Sequence, residues 1–293
     1  MASARPLIFG EVLFDCFPDG TRVLGGAPFN VAWHCQAFGL QPLFVSRTGD
    51  DAMGQAIAQA MQGWGMDTSA LQFDPLHATG IVDVSFSDGE PAYTIVEDSA
   101  WDFIDPERVP KSENHSMLYH GSLALRQSVS ASSLRELLRN NAPPVFIDVN
   151  LRAPWWNQAL ILDIISMGRW IKLNADELAL IVPQLKSTKD RIQHLFATTT
   201  VEMLVVTQGE AGALAVTRDE SCAVKPRQAS VVVDTVGAGD AFCSVLLLGL
   251  EKRWPLQMIL DRAQEFASAV VGQRGATTQN KVFYDGFTKS WKL

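Results

Sequence analysis

Six apolar runs of strand length recur along the chain, at Leu7 to Val12, Leu43 to Ser46, Met117 to His120, Val145 to Val149, Trp170 to Leu173 and Met203 to Thr207. Most are separated by stretches of helical period, such as Phe29 to Phe38, Ala52 to Met61, Ser130 to Leu138 and Leu160 to Met167. A strand that is apolar on both faces must be covered on both, and an intervening helix lets successive strands run parallel. The alternation therefore predicts an α/β fold, a three-layer αβα sandwich around a mostly parallel central sheet. One segment breaks it: Thr79 to Phe86 and Pro91 to Val96 read as a hairpin around Ser87-Asp88-Gly89-Glu90. With Cys16 to Leu24, which surrounds the Pro18-Asp19-Gly20 turn, it would leave the main sheet and form a small β lid, about 15–25 and 77–104, over the strand ends. Beyond Thr217 antiparallel strands are expected. A long helical region then runs from Gly239 to Arg274, broken near Trp254-Pro255 because proline cannot continue a helix.

Composition narrows the function classes. The net charge of -8 argues against a nucleic-acid partner, since affinity for a phosphate backbone comes from Lys and Arg. Cys16, Cys35, Cys222 and Cys243 form no C-x-x-C pair, which fits a reducing, cytoplasmic setting better than a disulfide framework or zinc site. Neither a signal peptide nor a membrane-spanning run is recognisable, so neither export nor a membrane partner is expected. The five histidines show no His-Glu-x-x-His spacing and read as packing or surface residues. Neither Gly-x-x-x-x-Gly-Lys-Ser/Thr nor a Gly-x-Gly-x-x-Gly near the first strand is present, which argues against a P-loop enzyme and a dinucleotide dehydrogenase.

The strongest local signal is Asp234-Thr-Val-Gly237-Ala238-Gly239-Asp240, which follows the strand-like Ser230 to Val233 and opens an apolar helix. Glycines there leave backbone N–H groups open at a helix N-terminus, where an anion is favoured. Asp240 in the first turn can take a proton from an attacking hydroxyl beside that anion hole. A tight turn with an N-terminal aspartate is the plainer alternative. A second cluster, Gly25-Gly26-Ala-Pro-Phe-Asn30-Val-Ala, would start another helix and project Asn30, whose amide suits sugar hydroxyls, although it also suits a cap. Asp15, just after the first strand, adds an acceptor.

Together, Gly25 to Ala32 with Gly39 and Gly49-Asp50-Asp51, followed near the other end by Asp234 to Asp240, resemble the two signatures of the ribokinase-like (pfkB) carbohydrate kinases. Gly10-Glu11 to Asp15 is similar to that family's first strand and substrate aspartate, Asn174-Ala-Asp-Glu177 to its Asn-x-x-Glu motif, and Thr207 to Gly212 to its nucleotide-binding turn. Asp148-Val-Asn-Leu-Arg152, with Trp155-Trp156 and Ala100-Trp101-Asp102, most resembles the fructokinase branch. One departure is Ser244-Val245, where the family usually places two small residues.

The resemblance implies a single kinase domain over residues 1–293 and an ATP-dependent sugar kinase, most of all a fructokinase. Asp15, Gly25, Gly26 and Asn30 would hold the sugar, with Trp101 either covering it or packing the lid. Gly237, Ala238 and Gly239 would form the anion hole, Asp240 the base, and Arg152 a phosphate clamp, Lys172 being the weaker candidate. Asn174 and Glu177 would organise Mg2+ through its waters, unless they only start a helix. Thr207, Gly209, Gly212, Gly272 and Gly275 would border ATP, and main-chain oxygens near Asp234, Val236 and Gly275 resemble a K+ loop. Ribokinase-type, 2-keto-3-deoxygluconate and nucleoside kinases of the same family stay open, as does a non-catalytic sugar or nucleotide sensor. Exposed lid edges would offer a surface for a homodimer.

Overall fold

The computed structural model describes residues 4–87, 90–111, 115–141, 143–226 and 232–293. The chain begins with β1 (Arg5–Phe9), β2 (Leu13–Cys16), β3 (Arg22–Gly25), α1 (Ala27–Ala37), β4 (Leu43–Gly49), α2 (Ala52–Gly63) and β5 (Leu71–Asp74). The hairpin β6 (Gly80–Ser87) and β7 (Glu90–Ile95) follows; Asp88 and Gly89 of its expected loop lie outside the described residues. Next come β8 (His115–Gly121), α3 (Ser128–Asn141), β9 (Val145–Asp148), α4 (Gln158–Met167), β10 (Trp170–Asn174), α5 (Ala175–Ile181), α6 (Thr188–Thr198) and β11 (Met203–Thr207). The last are β12 (Ala213–Thr217), β13 (Ser221–Val224), α7 (Ala238–Glu251), α8 (Leu256–Val271) and α9 (Lys281–Trp291).

The main sheet has the order β13-β12-β11-β10-β9-β8-β1-β4-β5, with parallel pairing from β5 to β11 and antiparallel pairing only at β12 and β13. Alternate residues of one strand feed two separate cores. Ile8 packs with α1, α2, α7, α8 and α9 on one face, whereas Leu7 and Phe9 pack with α3 to α6 on the other. This double covering is why the strands read as unbroken apolar runs. Among the described residues no helix is long and apolar enough to cross a membrane.

From β1 the chain winds outward to β4 and β5, returns to β8 on the other side of β1, and continues outward to β11. The loops after β1 and β8 therefore diverge and leave a crevice at the carboxyl ends of the strands, the usual ligand position in such sheets. Beside the main sheet stands a four-stranded one, ordered β3-β2-β6-β7. Its root is pinned by Asp51, which accepts from Gly54 N–H at the start of α2 and from both N–H and hydroxyl of Thr79 at 2.8 and 2.7 Å. The Gly49-Asp50-Asp51 motif thus fixes where β6 departs.

The first strand ends earlier than the apolar run to Val12 suggests. Gly10 turns the chain with φ 152°, and a Cβ there would lie 2.4 Å from a carbon of Pro28. The run Ser230 to Val233 falls partly outside the described residues; Val232 and Val233 are exposed and in no strand. Pro255 separates α7 from α8 as the proline rule requires, and α5 is a short helix with a complete capping box.

Candidate active site

Helix α7 begins at Gly237, whose left-handed φ of 79° brings its Cα so close to Ala276 that a Cβ would sit 2.3 Å from that residue's Cβ. Ala241 donates to Gly237 O at 2.8 Å, so the N–H groups of Gly239 and Asp240 lie within the open first turn. Asp240 Oδ2 accepts from Asn30 Nδ2 at 2.8 Å, joining α1 to α7 across 210 positions of sequence. Asn30 is held there because Gly26, at φ 109°, lets α1 start against the exit of β1. A Cβ on Gly26 would be 2.6 Å from Glu11 O. Burial pushes the Asp240 carboxyl up to about 6; the Asn30 amide lowers it, Asp148 raises it, and Lys172 and Arg152 lower it.

Below this helix end lies a buried ionic cluster. Lys172 Nζ contacts both oxygens of Asp148 at 3.0 and 3.2 Å, and Asp148 Oδ2 also accepts from Cys243 Sγ at 3.2 Å and Tyr119 hydroxyl at 3.5 Å. Burial opposes the Lys172 charge, but Asp148 outweighs it and the ammonium is held well above its ordinary pKa. The ammonium lies 3.2 Å from where a Cβ of Gly239 would be, so only glycine leaves it open toward the N-terminal turn. Lys172 is thus a placed, buried cation rather than a solvated strand end. Arg152 is exposed, and its Nη1 donates to Leu151 O at 3.5 Å.

On the crevice side, Asp15 lies on β2 in the small sheet, paired with Val23 of β3; a Cβ on Gly25, two residues along β3, would be 3.3 Å from its Oδ2. Burial raises the Asp15 carboxyl to about 6. Trp101 is fully buried. Its ring packs under the Arg126 guanidinium at 4.1 Å, an arrangement in keeping with the packing role that was one of its two expected readings. Two residues that the sequence reading left without a role stand at the crevice. Glu11 follows β1, is 3% exposed, and has its carboxyl raised to about 7 by burial, with Asp240 adding to the rise and Arg152 and Arg126 opposing it. Arg126 follows β8 and binds Asp102 through two nitrogens at 2.7 and 2.6 Å. Both sit just past the carboxyl ends of apolar strands, the same signal that drew attention to Arg152.

Toward the far side, Asn174 and Thr207 are register neighbours at the ends of β10 and β11. Glu177 accepts from Asn174 N–H at 2.7 Å and Leu151 N–H at 2.8 Å, while Asn174 Oδ1 accepts from Glu177 N–H at 2.8 Å. Glu177 thereby ties the Asp-x-Asn-Leu-Arg loop to α5. Among the described residues no group of three His, Cys, Asp or Glu side chains could hold a metal ion. Asn174 and Glu177 are hard oxygen donors with lone pairs left over, a set that fits the waters of a hydrated hard cation rather than the bare ion.

Gly209 is exposed with φ 55° and open space around it, as a phosphate turn needs. Gly212 instead is buried at φ 97°, where a Cβ would overlap Val224 O, so packing alone already requires glycine there. Asp234 accepts from Val236 N–H and Gly275 N–H, each at 3.0 Å, and so joins the two segments whose carbonyls were expected to form a cation loop. Val236 and Gly272 are exposed beside them. His34 supports this region from below, bonded to Ala276 O and Tyr284 hydroxyl at 3.0 Å each. The departure at Ser244-Val245 is absorbed in the core, Ser244 bonding Ala241 O at 2.7 Å.

Comparison with known proteins gives a consistent outcome. The pfkB family carbohydrate kinase profile matches residues 16–282. A fructokinase from Klebsiella pneumoniae is 33% identical over 259 residues, 83% of each chain. One from Salmonella typhimurium is 30% identical, spanning 94% of this chain and 96% of that one. Among solved structures, a fructokinase double mutant from Vibrio cholerae O395, in fructose, ADP and potassium ion bound form, superposes with a TM-score of 0.82 at 25% identity, covering 97% of this chain and 98% of that one.

Proposed function

This chain belongs to the pfkB family of carbohydrate kinases, phosphotransferases acting on a sugar hydroxyl, and on that premise we propose that it is an ATP-dependent fructokinase. The observation that carries the reading is the 2.8 Å bond from Asn30 to Asp240, which brings the two distant signatures to one point at the mouth of α7. Asp240 takes the proton from a hydroxymethyl of the sugar, and that oxygen attacks the γ-phosphorus of ATP as the bond to the β-phosphate oxygen breaks. The open amides of Gly239 and Asp240 bind the phosphoryl oxygens as charge builds on them, with Lys172 a fixed positive charge just below.

Asp15 and Asn30 bind non-reacting hydroxyls, and the small sheet closes over the sugar to keep water from the phosphoryl group. The exposed Arg152 swings onto the phosphates when ATP is present. Asn174 and Glu177 would position the waters of Mg2+, which would neutralise phosphate charge. The segments joined by Asp234 would supply carbonyls to a potassium ion, a reading supported by the potassium in the Vibrio cholerae relative.

Fructose is favoured as acceptor by the names of the relatives and by the Asp148 to Arg152 pattern. Coupled ADP release over fructose, ribose, other sugars, 2-keto-3-deoxygluconate and nucleosides tests this. Fructose is expected to give the highest kcat/KM. Preference for another acceptor would overturn the fructose assignment, and silence on all of them would overturn the kinase reading.

A further inference from the structure

Two charged side chains on opposite banks of the crevice are buried yet only partly bonded. On the β1 bank, Glu11 Oε2 is buried with no hydrogen-bond partner among the described residues. On the β8 bank, Arg126 is 2% exposed and its Nη1 is likewise buried without a partner. The rest of Arg126 is immobilised: Nε and Nη2 bind Asp102, Nη2 also binds Val96 O at 2.7 Å, and the guanidinium lies between Trp101 at 4.1 Å and Trp155 at 4.5 Å. Such a cage holds one nitrogen in a fixed place with nothing to donate to. Buried polar groups are normally satisfied, so an unpaired acceptor on the segment after β1 and an unpaired donor on the segment after β8, which flank one ligand crevice, point to something that arrives.

We propose that Glu11 and Arg126 clamp one non-reacting hydroxyl of the acceptor between them and select neutral sugars over sugar acids. A hydroxyl can accept from Arg126 Nη1 and donate to Glu11 Oε2 at once, satisfying both orphans with one oxygen. A carboxylate in the same place would satisfy the arginine but stand against Glu11, with Asp240 close by, and two carboxylates sharing a site repel. The discrimination is therefore built from an attractive partner and a repulsive one. It rests on the kinase reading above and deepens it, assigning an acceptor class to residues outside the two signatures.

The test compares wild type, Glu11→Gln, Glu11→Ala and Arg126→Lys on the preferred neutral sugar and on a sugar acid, with thermal melts of each protein. Glu11→Ala should raise KM for the neutral sugar about tenfold or more while changing kcat less than about threefold, the signature of lost binding rather than lost chemistry. Glu11→Gln keeps the shape and should fold like wild type. It should retain the sugar KM within about fivefold and shift the kcat/KM ratio toward the sugar acid by about tenfold. Arg126→Lys should raise KM for the neutral sugar as Glu11→Ala does. If Glu11→Ala does not fold, the Glu11→Gln selectivity decides the matter alone. An active wild type with unchanged KM in folded Glu11→Ala, or unchanged selectivity in Glu11→Gln, overturns the clamp and leaves the kinase reading standing. A wild type silent on every acceptor overturns both.

Discussion

Around Asp240 the charged groups of the helix end are held by protein partners, Asn30 bonding the carboxylate, Asp148 holding Lys172 and Glu177 taking two backbone amides, while Asn30 Oδ1 and Glu11 Oε2 are left unpaired among the described residues. By contrast, Gly209, Val236 and Gly272 are exposed, and the segments around Val236 and Gly275 are joined through the Asp234 carboxylate. The first region stands on helix and strand ends backed by both cores; the second is made of turns. A group that must meet a transition state is held before the substrate comes, since rearrangement at that moment would be charged to the barrier. A cofactor-like nucleotide can bring order with it. Substitutions on the two sides should therefore differ in kind, with chemistry lost on one and nucleotide affinity on the other.

The largest break should come from Asp240→Asn. It removes the base while leaving an amide of similar shape beside Asn30, so kcat should fall by about 10²- to 10⁴-fold with sugar affinity changed only a few-fold, read by steady-state kinetics and calorimetric titration. Lys172→Met comes next: it leaves Asp148 buried without its counter-charge, which should cost about 3–5 kcal/mol in a urea melt, and kcat should fall as well. Gly237→Ala demands a Cβ where Ala276 already sits and a left-handed φ from an L-residue. A loss of about 1–3 kcal/mol and a lower kcat are expected, by thermal melt and turnover. Gly209→Asn is the mildest, because its left-handed φ suits asparagine and nothing crowds it; KM for ATP should move less than about threefold with kcat unchanged. If the last two variants behaved alike, the contrast between the two sides would fail.

The layered fold was legible in the sequence because the two-sided covering of β1, β8, β9, β10 and β11 writes itself as unbroken apolar runs. Strand and helix limits were less so. The end of β1 is set at Gly10 by contact with Pro28, a tertiary fact that periodicity does not carry. The bond between Asn30 and Asp240 could be anticipated only as a meeting of motifs, whereas Arg126 needed the structure, because its partners Trp101 and Asp102 lie on one segment and Trp155 on another, both distant in sequence. Trp101 and Gly212, named through the resemblance, also have packing roles that only the structure shows: Trp101 is fully buried, and a Cβ on Gly212 would meet the Val224 carbonyl.

The central claim is that Asp240, tuned by Asn30, accepts the proton, and the pH dependence of kcat/KM tests it most directly. Burial places the carboxyl at about 6, and only its ionised form can act as base, so kcat/KM should fall as pH drops through that value and level off above it. Asn30 donates to the ionised form and lowers the pKa. In Asn30→Ala the acidic limb should therefore move to higher pH, whatever happens to the plateau height. An acidic limb that stays at the wild-type pH in Asn30→Ala would contradict the assignment of Asp240 as the base.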